Sequence, residues 1–308
     1  MKALQTLLAV AVLAVGCRPD FGTRSSRITE PRILAVKATP AEARPGEVVA
    51  YRALVAMADG APALSWSTCA TSKPATENNV VGASCLGKDV RAFGGRGPET
   101  SGEVPADACT LFGPDTPAPR PGEPPFRPHD ADVTGGYYLP VRVDLPGSDP
   151  AVALERIRCN LVGASPEVAR DFRERYVPNL APHLLEVTAQ VDGAPVALDA
   201  LPAGATVTWR ARWSGPEDVE PSAETYVVFD VVSQSLVERR ESLRVSWYST
   251  TGDFEADRTG RGEDETESFS ENTWTAPTTP GPAQLWVVLR DARGGVDFLA
   301  LNGAVVAR

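Results

Sequence analysis

The sequence repeats itself, and this internal repeat constrains the fold of the chain more than any other feature. Three short blocks occur twice, in the same order in both copies. The paired blocks are residues 31–38 and 182–189, residues 45–53 and 203–211, and residues 64–67 and 245–248. The copies lie too far apart for a solenoid, whose repeats recur roughly every 20 to 50 residues, so the repeat predicts two duplicated domains.

Within each block, apolar and polar residues alternate, which is the pattern of a β-strand with one buried face. In the second block, Val49, Tyr51 and Ala53 face one side, and the residues between them face the other. Turns that contain Gly and Pro, such as the turn at residues 44–46, separate the strands. We therefore predict an all-β chain that forms antiparallel sandwiches.

The order of the strands resembles that of immunoglobulin-like domains. In each copy, two strands are followed by a third with a central tryptophan, Trp66 or Trp247, and the third strand of an Ig-like domain carries such a core residue. Residues 132–137 are similar to the corner that leads into the sixth strand. In the second copy, residues 274–277 and 283–290 look like the fifth and sixth strands, and residues 291–296 look like the closing hairpin of bacterial Ig-like modules. The resemblance implies two tandem Ig-like β-sandwiches and names no ligand.

Between the copies, the sequence predicts one short helix over residues 165–176. Ser165 is a good N-cap, Pro166 suits the first helical position, and Pro178 ends the run. Residues 114–128 contain seven prolines without a period, so we predict a long loop of polyproline II character in the first domain.

The N-terminus has the three parts of an export signal. Lys2 gives a positive start, residues 4–15 are mostly apolar, and small residues follow. The apolar run is shorter than the about 20 residues that a membrane-spanning helix needs. An ordinary cleaved signal and an N-terminal anchor helix are the alternatives. Residues 13–17, Leu-Ala-Val-Gly-Cys, resemble the lipobox of bacterial lipoproteins, although Leu13 lies one place further from the cysteine than usual.

This resemblance implies that Cys17 receives acyl chains of the palmitate type and becomes the first residue of the mature chain. One acyl chain binds a bilayer only marginally, so two or three are needed for a stable anchor. Arg18 follows the cysteine, where enteric lipoproteins retained at the inner membrane have Asp, so the outer membrane is favoured. The layout of the whole chain also resembles uncharacterised lipoproteins of myxobacteria, from which no activity is carried over.

These observations divide the chain into five parts. We predict a signal peptide at 1–16, a lipidated and unstructured tether at 17–30, an Ig-like domain at 31–163, a helical connector at 164–181, and a second Ig-like domain at 182–308. The formal charge of −10 argues against nucleic acid as a partner and against adhesion to anionic lipid through a basic surface. The expected partners are the bilayer, through Cys17, and another envelope protein or a glycan.

The remaining cysteines predict two disulfides in the first domain. They are Cys69, Cys85, Cys109 and Cys159. An even number of cysteines in an exported chain favours disulfides, and four cysteines allow three connectivities. We favour Cys69–Cys85 with Cys109–Cys159, because the first two lie closest along the chain. A zinc site is the alternative, but the sequence contains no C-x-x-C pair.

No motif in the sequence points to catalysis, to a cofactor or to a metal. The two histidines, His129 and His183, lie in the proline-rich loop and at the start of a strand. Glycoside hydrolysis needs only two carboxylates, so an enzyme that acts on glycans stays open as an alternative. The acidic residues at 253–257 alternate in a way that could bind Ca²⁺, but Arg258 stands where an EF-hand loop has Gly, so we expect a solvated loop.

The sequence therefore predicts a non-catalytic binding or spacer module, held on the cell envelope by lipid. A carbohydrate-active enzyme or a carbohydrate-binding lipoprotein is the alternative. Loops carry function more often than cores. We therefore predict that the proline-rich loop with Phe126, together with the nearby Tyr137 and Tyr138, forms the contact surface.

Overall fold

A computed structural model describes residues 24–56, 62–72, 81–118, 121–122, 129–215, 218 and 223–308. Cys17 and Phe126 lie outside the described residues. The fold is all-β, with two Ig-like sandwiches and a short helix between them, as the repeat predicts. No helix in the described part of the chain is long and apolar enough to cross a membrane.

Within the described ranges, the first sandwich contains eight strands in two sheets. The strands are β1 (Arg32–Thr39), β2 (Glu42–Ala43), β3 (Val48–Ala56), β4 (Ser65–Cys69), β5 (Val90–Phe93), β6 (Glu99–Glu103), β7 (Tyr137–Asp144) and β8 (Ala151–Ile157). One sheet has the order β1-β3-β6 and the other β2-β8-β7-β4-β5. Strand β2 pairs with β8 in parallel, and the other neighbours are antiparallel. Two short helices, α1 (Ala83–Leu86) and α2 (Ala108–Phe112), lie in its loops.

The second sandwich repeats this plan and adds to it. Its strands are β9 (Leu184–Val191), β10 (Ala194–Val196), β11 (Leu201–Pro202), β12 (Thr206–Trp213), β13 (Thr225–Asp230), β14 (Ser235–Arg240), β15 (Leu243–Ser249), β16 (Asp253–Phe254), β17 (Arg258–Arg261), β18 (Phe269–Thr275), β19 (Gly281–Asp291) and β20 (Val296–Val306). Its sheets have the orders β10-β9-β12-β18-β16 and β11-β20-β19-β15-β17. The hairpin β13–β14 pairs only with itself and has no counterpart among the described residues between β3 and β4.

The repeated blocks are the corresponding strands of the two copies. The blocks lie on β1 and β9, on β3 and β12, and on β4 and β15. The tryptophan of each third strand is buried in its core, as predicted. The indole nitrogen of Trp66 donates to the Gly97 carbonyl at 2.9 Å, and that of Trp247 donates to the Thr259 hydroxyl at 2.9 Å. Each ring therefore buries its apolar area without leaving its polar atom unpaired.

Two disulfides cross-link the first sandwich with the predicted connectivity. Cys69 at the end of β4 is bonded to Cys85 in α1, and Cys109 in α2 is bonded to Cys159 just after β8. The second sandwich has no cysteine and instead buries four large rings, Trp209, Trp213, Trp247 and Trp274. A large apolar core thus stabilises the second sandwich, whereas disulfides contribute to the stability of the first.

The predicted connector helix, α3, spans Pro166–Arg175. The Ser165 hydroxyl accepts a hydrogen bond from the Val168 amide at 3.3 Å, which is the N-cap that the sequence predicts. The helix has no buried residue and lies against the hairpin β13–β14. It therefore links the second sandwich to the end of β8.

The two sandwiches pack against each other through a third apolar cluster. The cluster contains Ile28, Leu34, Ala35, Leu54, Ala56, Trp286, Val288 and Phe298. Strand β3 contributes to two cores, because Tyr51 faces inward while Leu54 faces the second sandwich. At the edge of this contact, the Lys37 ammonium lies 2.8 Å from an Asp297 carboxylate oxygen. The sandwiches thus share a buried interface and are not beads on a flexible linker.

The prediction of an unstructured tether is wrong for residues 24–30. The Ile28 amide donates to the Ser249 carbonyl at 2.9 Å, the Ser249 amide donates to the Ser26 carbonyl at 2.9 Å, and Arg27 pairs with Asp253 at 3.3 Å. Ile28 is only 1% exposed, because its side chain fills the cluster between the sandwiches. One apolar residue in a polar segment is too weak a pattern to predict this docking.

Candidate functional site

A cleft opens between the two sandwiches, beside helix α3. The loop at 129–136 and the end of β8 form one wall, and the hairpin β13–β14 forms the other. Its volume is about 910 Å³. Ligand sites in proteins have volumes of roughly 300 to 1,000 Å³, so the cleft is large enough for a small molecule or a short polymer segment. Because the hairpin is an insertion, the cleft depends on the feature that distinguishes the two copies.

The rim of the cleft is apolar and exposed. Val133 of the loop is 79% exposed and Val231 at the tip of the hairpin is 67% exposed. Val162 and Val237 line the cleft and are also exposed. Single exposed apolar residues are ordinary, but a group of them around one concave site is typical of an interaction surface.

Aromatic rings line the interior of the cleft. They belong to Tyr137, Phe172, Tyr176 and Phe229. The rings of Phe172 and Tyr176 are in contact, with centroids 5.1 Å apart, and the Arg158 guanidinium lies 4.6 Å from the centroid of the Tyr176 ring. Burial raises the pKa of Tyr137 above its ordinary value, so its hydroxyl is a neutral donor. Aromatic and arginine side chains contribute most of the binding energy in many interfaces.

Arg156 and Glu42 form a buried ion pair under the cleft. The Arg156 Nε lies 3.2 Å from a Glu42 oxygen, and both side chains are almost fully buried. Arg156 also donates to the Thr134 hydroxyl at 2.8 Å and to the Tyr138 hydroxyl at 3.0 Å, while the Tyr176 hydroxyl donates to Glu42. These bonds connect β2, β8, the loop of the cleft wall and the residue that follows α3, so they fix the shape of the cleft.

Arg293 organises a second buried network on the side of the second sandwich. Arg293 lies in the turn between β19 and β20 and pairs with Glu241 at 2.6 Å and Glu224 at 2.5 Å. The guanidinium also donates to the Val177 carbonyl at 2.7 Å and lies 4.5 Å from the centroid of the Tyr226 ring. A single arginine thus ties the connector and the hairpin to the sheet.

The Arg293 network contains more carboxyl groups than cations. Asp291 accepts from the amides of Arg293 and Gly295, both at 2.8 Å, so three acids surround one guanidinium. Burial raises the pKa of Glu241 to about 8 and raises the pKa values of Asp291 and Glu224, although Arg293 opposes the shift. Desolvation therefore outweighs the attraction of one cation.

These raised pKa values predict that stability falls as pH rises. The folded chain binds more protons than the unfolded chain between the ordinary pKa of 4.5 and about 8 for Glu241, so stability is greatest below this window and is lost through it. We expect the free energy of unfolding, from urea titrations, to fall between about pH 5 and pH 8.5, by up to about 1.4 kcal/mol per unit for each group. Glu241→Gln should flatten the slope. A free energy that rises across this range would contradict the account.

The structure separates the three predicted contact residues. Tyr137 lines the cleft, together with His129. Phe126 lies outside the described residues, so its part in the surface stays a prediction. The Tyr138 hydroxyl donates to the Arg293 carbonyl at 3.2 Å and accepts from Arg156. Tyr138 thus joins the two sandwiches from a largely buried position, and the prediction that it faces a partner is not supported.

The other titratable candidates have structural partners. The His183 Nδ1 lies 3.3 Å from an Asp297 oxygen. The Ser25 hydroxyl donates to Asp257 at 2.8 Å, and hydrogen bonds, first of all from Ser26, lower the pKa of that carboxyl. Asp253 pairs with Arg27. The acidic loop thus receives the N-terminal segment, and no group of three His, Cys, Asp or Glu residues that could hold a metal ion occurs within the described ranges.

Comparisons with known proteins assign this chain to no family. No family model matches the chain, and no curated protein matches its sequence. Among solved structures, the adhesin InvE of Yersinia pseudotuberculosis is 7% identical with a TM-score of 0.23, and the match covers 92% of this chain and 61% of the adhesin. Salmonella α2-macroglobulin reacted with methylamine is 10% identical with a TM-score of 0.23 (93% and 15% covered), and E. coli α2-macroglobulin is 9% identical with a TM-score of 0.22 (94% and 15%). Such low similarity says nothing about what this chain binds.

Proposed function

We propose that the chain is a non-catalytic binding module of the bacterial cell envelope, anchored by lipid at Cys17, which holds a partner in the cleft between its sandwiches. The observation that carries the proposal is the cleft itself, with its exposed apolar rim and aromatic interior. The resemblance of residues 13–17 to a lipobox supports the anchor.

The buried networks support a binding role because they preorganise the cleft. Arg156 fixes the wall of the first sandwich, and Arg293 fixes the hairpin and the connector. A site whose walls are already ordered loses less conformational entropy when a partner binds. The networks therefore favour a rigid recognition site over a flexible spacer.

The docked N-terminal segment and the Arg293 network lie at opposite ends of β15. On β15, Ser249 bonds to Ile28, while Leu243 pairs with Asp291 beside the Arg293 network. Six residues of strand separate these points, which is about 20 Å. Residues 18–23 add at most about 25 Å between Cys17 and the docked segment. An anchor at Cys17 would therefore hold the sandwiches near the bilayer with the cleft directed away from it.

Photo-crosslinking in living cells tests the binding role. A photoreactive residue at Val133 or Val231, on opposite walls of the cleft, should give the same adduct. The matched control is Val48, which is 64% exposed on the first sandwich and does not line the cleft. Equal labelling at Val48, or no adduct at either cleft position, would refute the proposed site.

A carbohydrate ligand is the second candidate. The aromatic interior of the cleft supports this candidate, because flat rings pack against the apolar faces of sugars. Arginine and amide groups beside the rings can hydrogen-bond to the sugar hydroxyls. The same experiment separates the two candidates: an adduct that glycosidases trim is a glycan, and one that proteases trim is a protein.

A further inference from the structure

The carboxyl group of Glu155 is buried inside the first sandwich. Glu155 on β8 points to the same side as Ala153 and Ile157, which pack in the core. Glu155 is 2% exposed. Its Oε1 atom has no hydrogen-bond partner in the part of the chain that the structure describes. Buried acids are nearly always paired, so this group needs an explanation.

Glu155 lines a cavity of about 340 Å³ where β1 and β8 meet the second sandwich; we call it the Glu155 cavity. Its walls are mostly apolar and include Val36, Ala38 and Val141. Leu154 also lines the Glu155 cavity and is partly exposed, so the cavity reaches the surface there. Its volume is sufficient for a small organic molecule.

Arg290 of β19 lines the same cavity from the second sandwich. Its guanidinium donates to the Leu34 carbonyl at 2.9 Å, at a bulge in β1, and to the Ser246 hydroxyl at 3.4 Å. No carboxylate among the described residues forms an ion pair with it, and burial lowers its pKa. The Glu155 cavity is thus bordered by a carboxyl group and a guanidinium group, both largely buried, and neither forms an ion pair with another described residue.

We propose that the Glu155 cavity binds a small zwitterion of the amino-acid class. The ammonium group of the ligand would hydrogen-bond to Glu155, its carboxylate would pair with Arg290, and its short aliphatic part would contact the apolar wall. A zwitterion compensates both buried groups at once, whereas a ligand with one charge leaves the other group uncompensated. This site is separate from the cleft and does not depend on the proposed function.

Binding of an ammonium group changes the protonation of Glu155. Burial, and then the nearby Glu42, raise the pKa of Glu155 well above its ordinary value, which favours the protonated carboxyl group in the free protein. The ammonium group stabilises the carboxylate, and that proton passes to the solvent. The other titratable groups nearby are Tyr51, whose pKa burial raises, and Arg290. Affinity should therefore increase as pH rises towards neutrality.

Isothermal titration calorimetry of the full-length protein tests the site. The probes are glycine, L-alanine and β-alanine, with ethylamine and propionate as ligands that carry one charge. We expect at least one amino acid to bind about tenfold more tightly than either single-charge probe. The measured heat should also vary with the ionisation enthalpy of the buffer, which reports the released proton.

Two glutamine variants complete the test. Glu155→Gln has nearly the same shape and should weaken amino-acid binding about tenfold and abolish proton release, with an unchanged circular dichroism spectrum. The exposed Glu186, which lines neither the cleft nor the Glu155 cavity, is the matched control, and Glu186→Gln should bind like the wild type. Equal binding of single-charge probes, unchanged binding by Glu155→Gln, or no binding of any probe at millimolar concentration would overturn the proposal.

Discussion

Replacing Arg293 with methionine should lower the free energy of unfolding by about 3 to 5 kcal/mol. Methionine fills much of the volume but leaves Glu241 and Glu224 buried without their cation, and breaking a buried ion pair on one side costs this much. The loss should be smaller near pH 5, because acids with raised pKa values are then protonated. Urea denaturation at two pH values measures both effects.

The control for this experiment is Arg239→Met. Arg239 lies on the same hairpin and pairs with Glu263 of the loop that follows β17, but both side chains are about one third exposed, so the pair is worth at most about 1 kcal/mol. A loss below about 1 kcal/mol for Arg293→Met, or equal losses for both variants, would mean that Arg293 does not tie the connector and the hairpin to the sheet.

Removing the disulfide between Cys109 and Cys159, by replacing both with alanine, should cost about 4 kcal/mol of stability. The bond closes a loop with a sequence separation of 50 and thereby restricts the conformations of the unfolded chain. Removing the bond restores this conformational entropy, which stabilises the unfolded state. The shorter link between Cys69 and Cys85, with a separation of 16, should cost about 3 kcal/mol. Thermal and chemical denaturation of both double variants gives the comparison.

The long disulfide also bears on the cleft. Cys159 lines the cleft, and Asn160 and Leu161, which follow it, form part of the same wall. The Cys109/Cys159 variant should therefore lose crosslinking at Val231 even at temperatures where it stays folded. Normal crosslinking by that variant would show that the loop holds the wall without the covalent bond.

Local patterns were sufficient to predict much of the fold. The repeated blocks mark the first three large strands of each copy, because a half-buried strand needs alternating residues whatever surrounds it. The tryptophans of β4 and β15, the cap at Ser165 and the disulfide connectivity were also predictable. Each depends on a few neighbouring residues or, for the disulfides, on the short separation of Cys69 and Cys85, which leaves the other two cysteines as the second pair.

The contact between the sandwiches was not predicted, although the sequence contains a signal for it. Strand β3 has buried residues on both faces, with Tyr51 on one side and Leu54 and Ala56 on the other. This pattern is typical of a strand that packs against other elements on both of its faces. The hairpin β13–β14 was missed for another reason. Its two strands do not alternate between apolar and polar residues, and the repeat has no block there, so neither pattern predicts it.

The candidate site was predicted only in part. Tyr137 lines the cleft and its contact with a partner stays a prediction, whereas its neighbour Tyr138 joins the buried networks. Arg156 and Glu42 are 114 residues apart, and Arg293 and Glu241 are 52 apart. No spacing rule connects such residues, because tertiary packing alone brings them together. In the sequence they resemble ordinary solvated charges.

The claim that lipid anchors this module is tested most directly by metabolic labelling with an alkyne-tagged palmitate. The wild-type protein should become labelled and sediment with the membrane fraction, whereas Cys17→Ser should carry no label. Arg18→Ser is the matched neighbour and should stay labelled, as should the Cys69/Cys85 double variant. A wild-type protein without label, or a Cys17→Ser protein that is labelled as strongly as the wild type, would contradict the account.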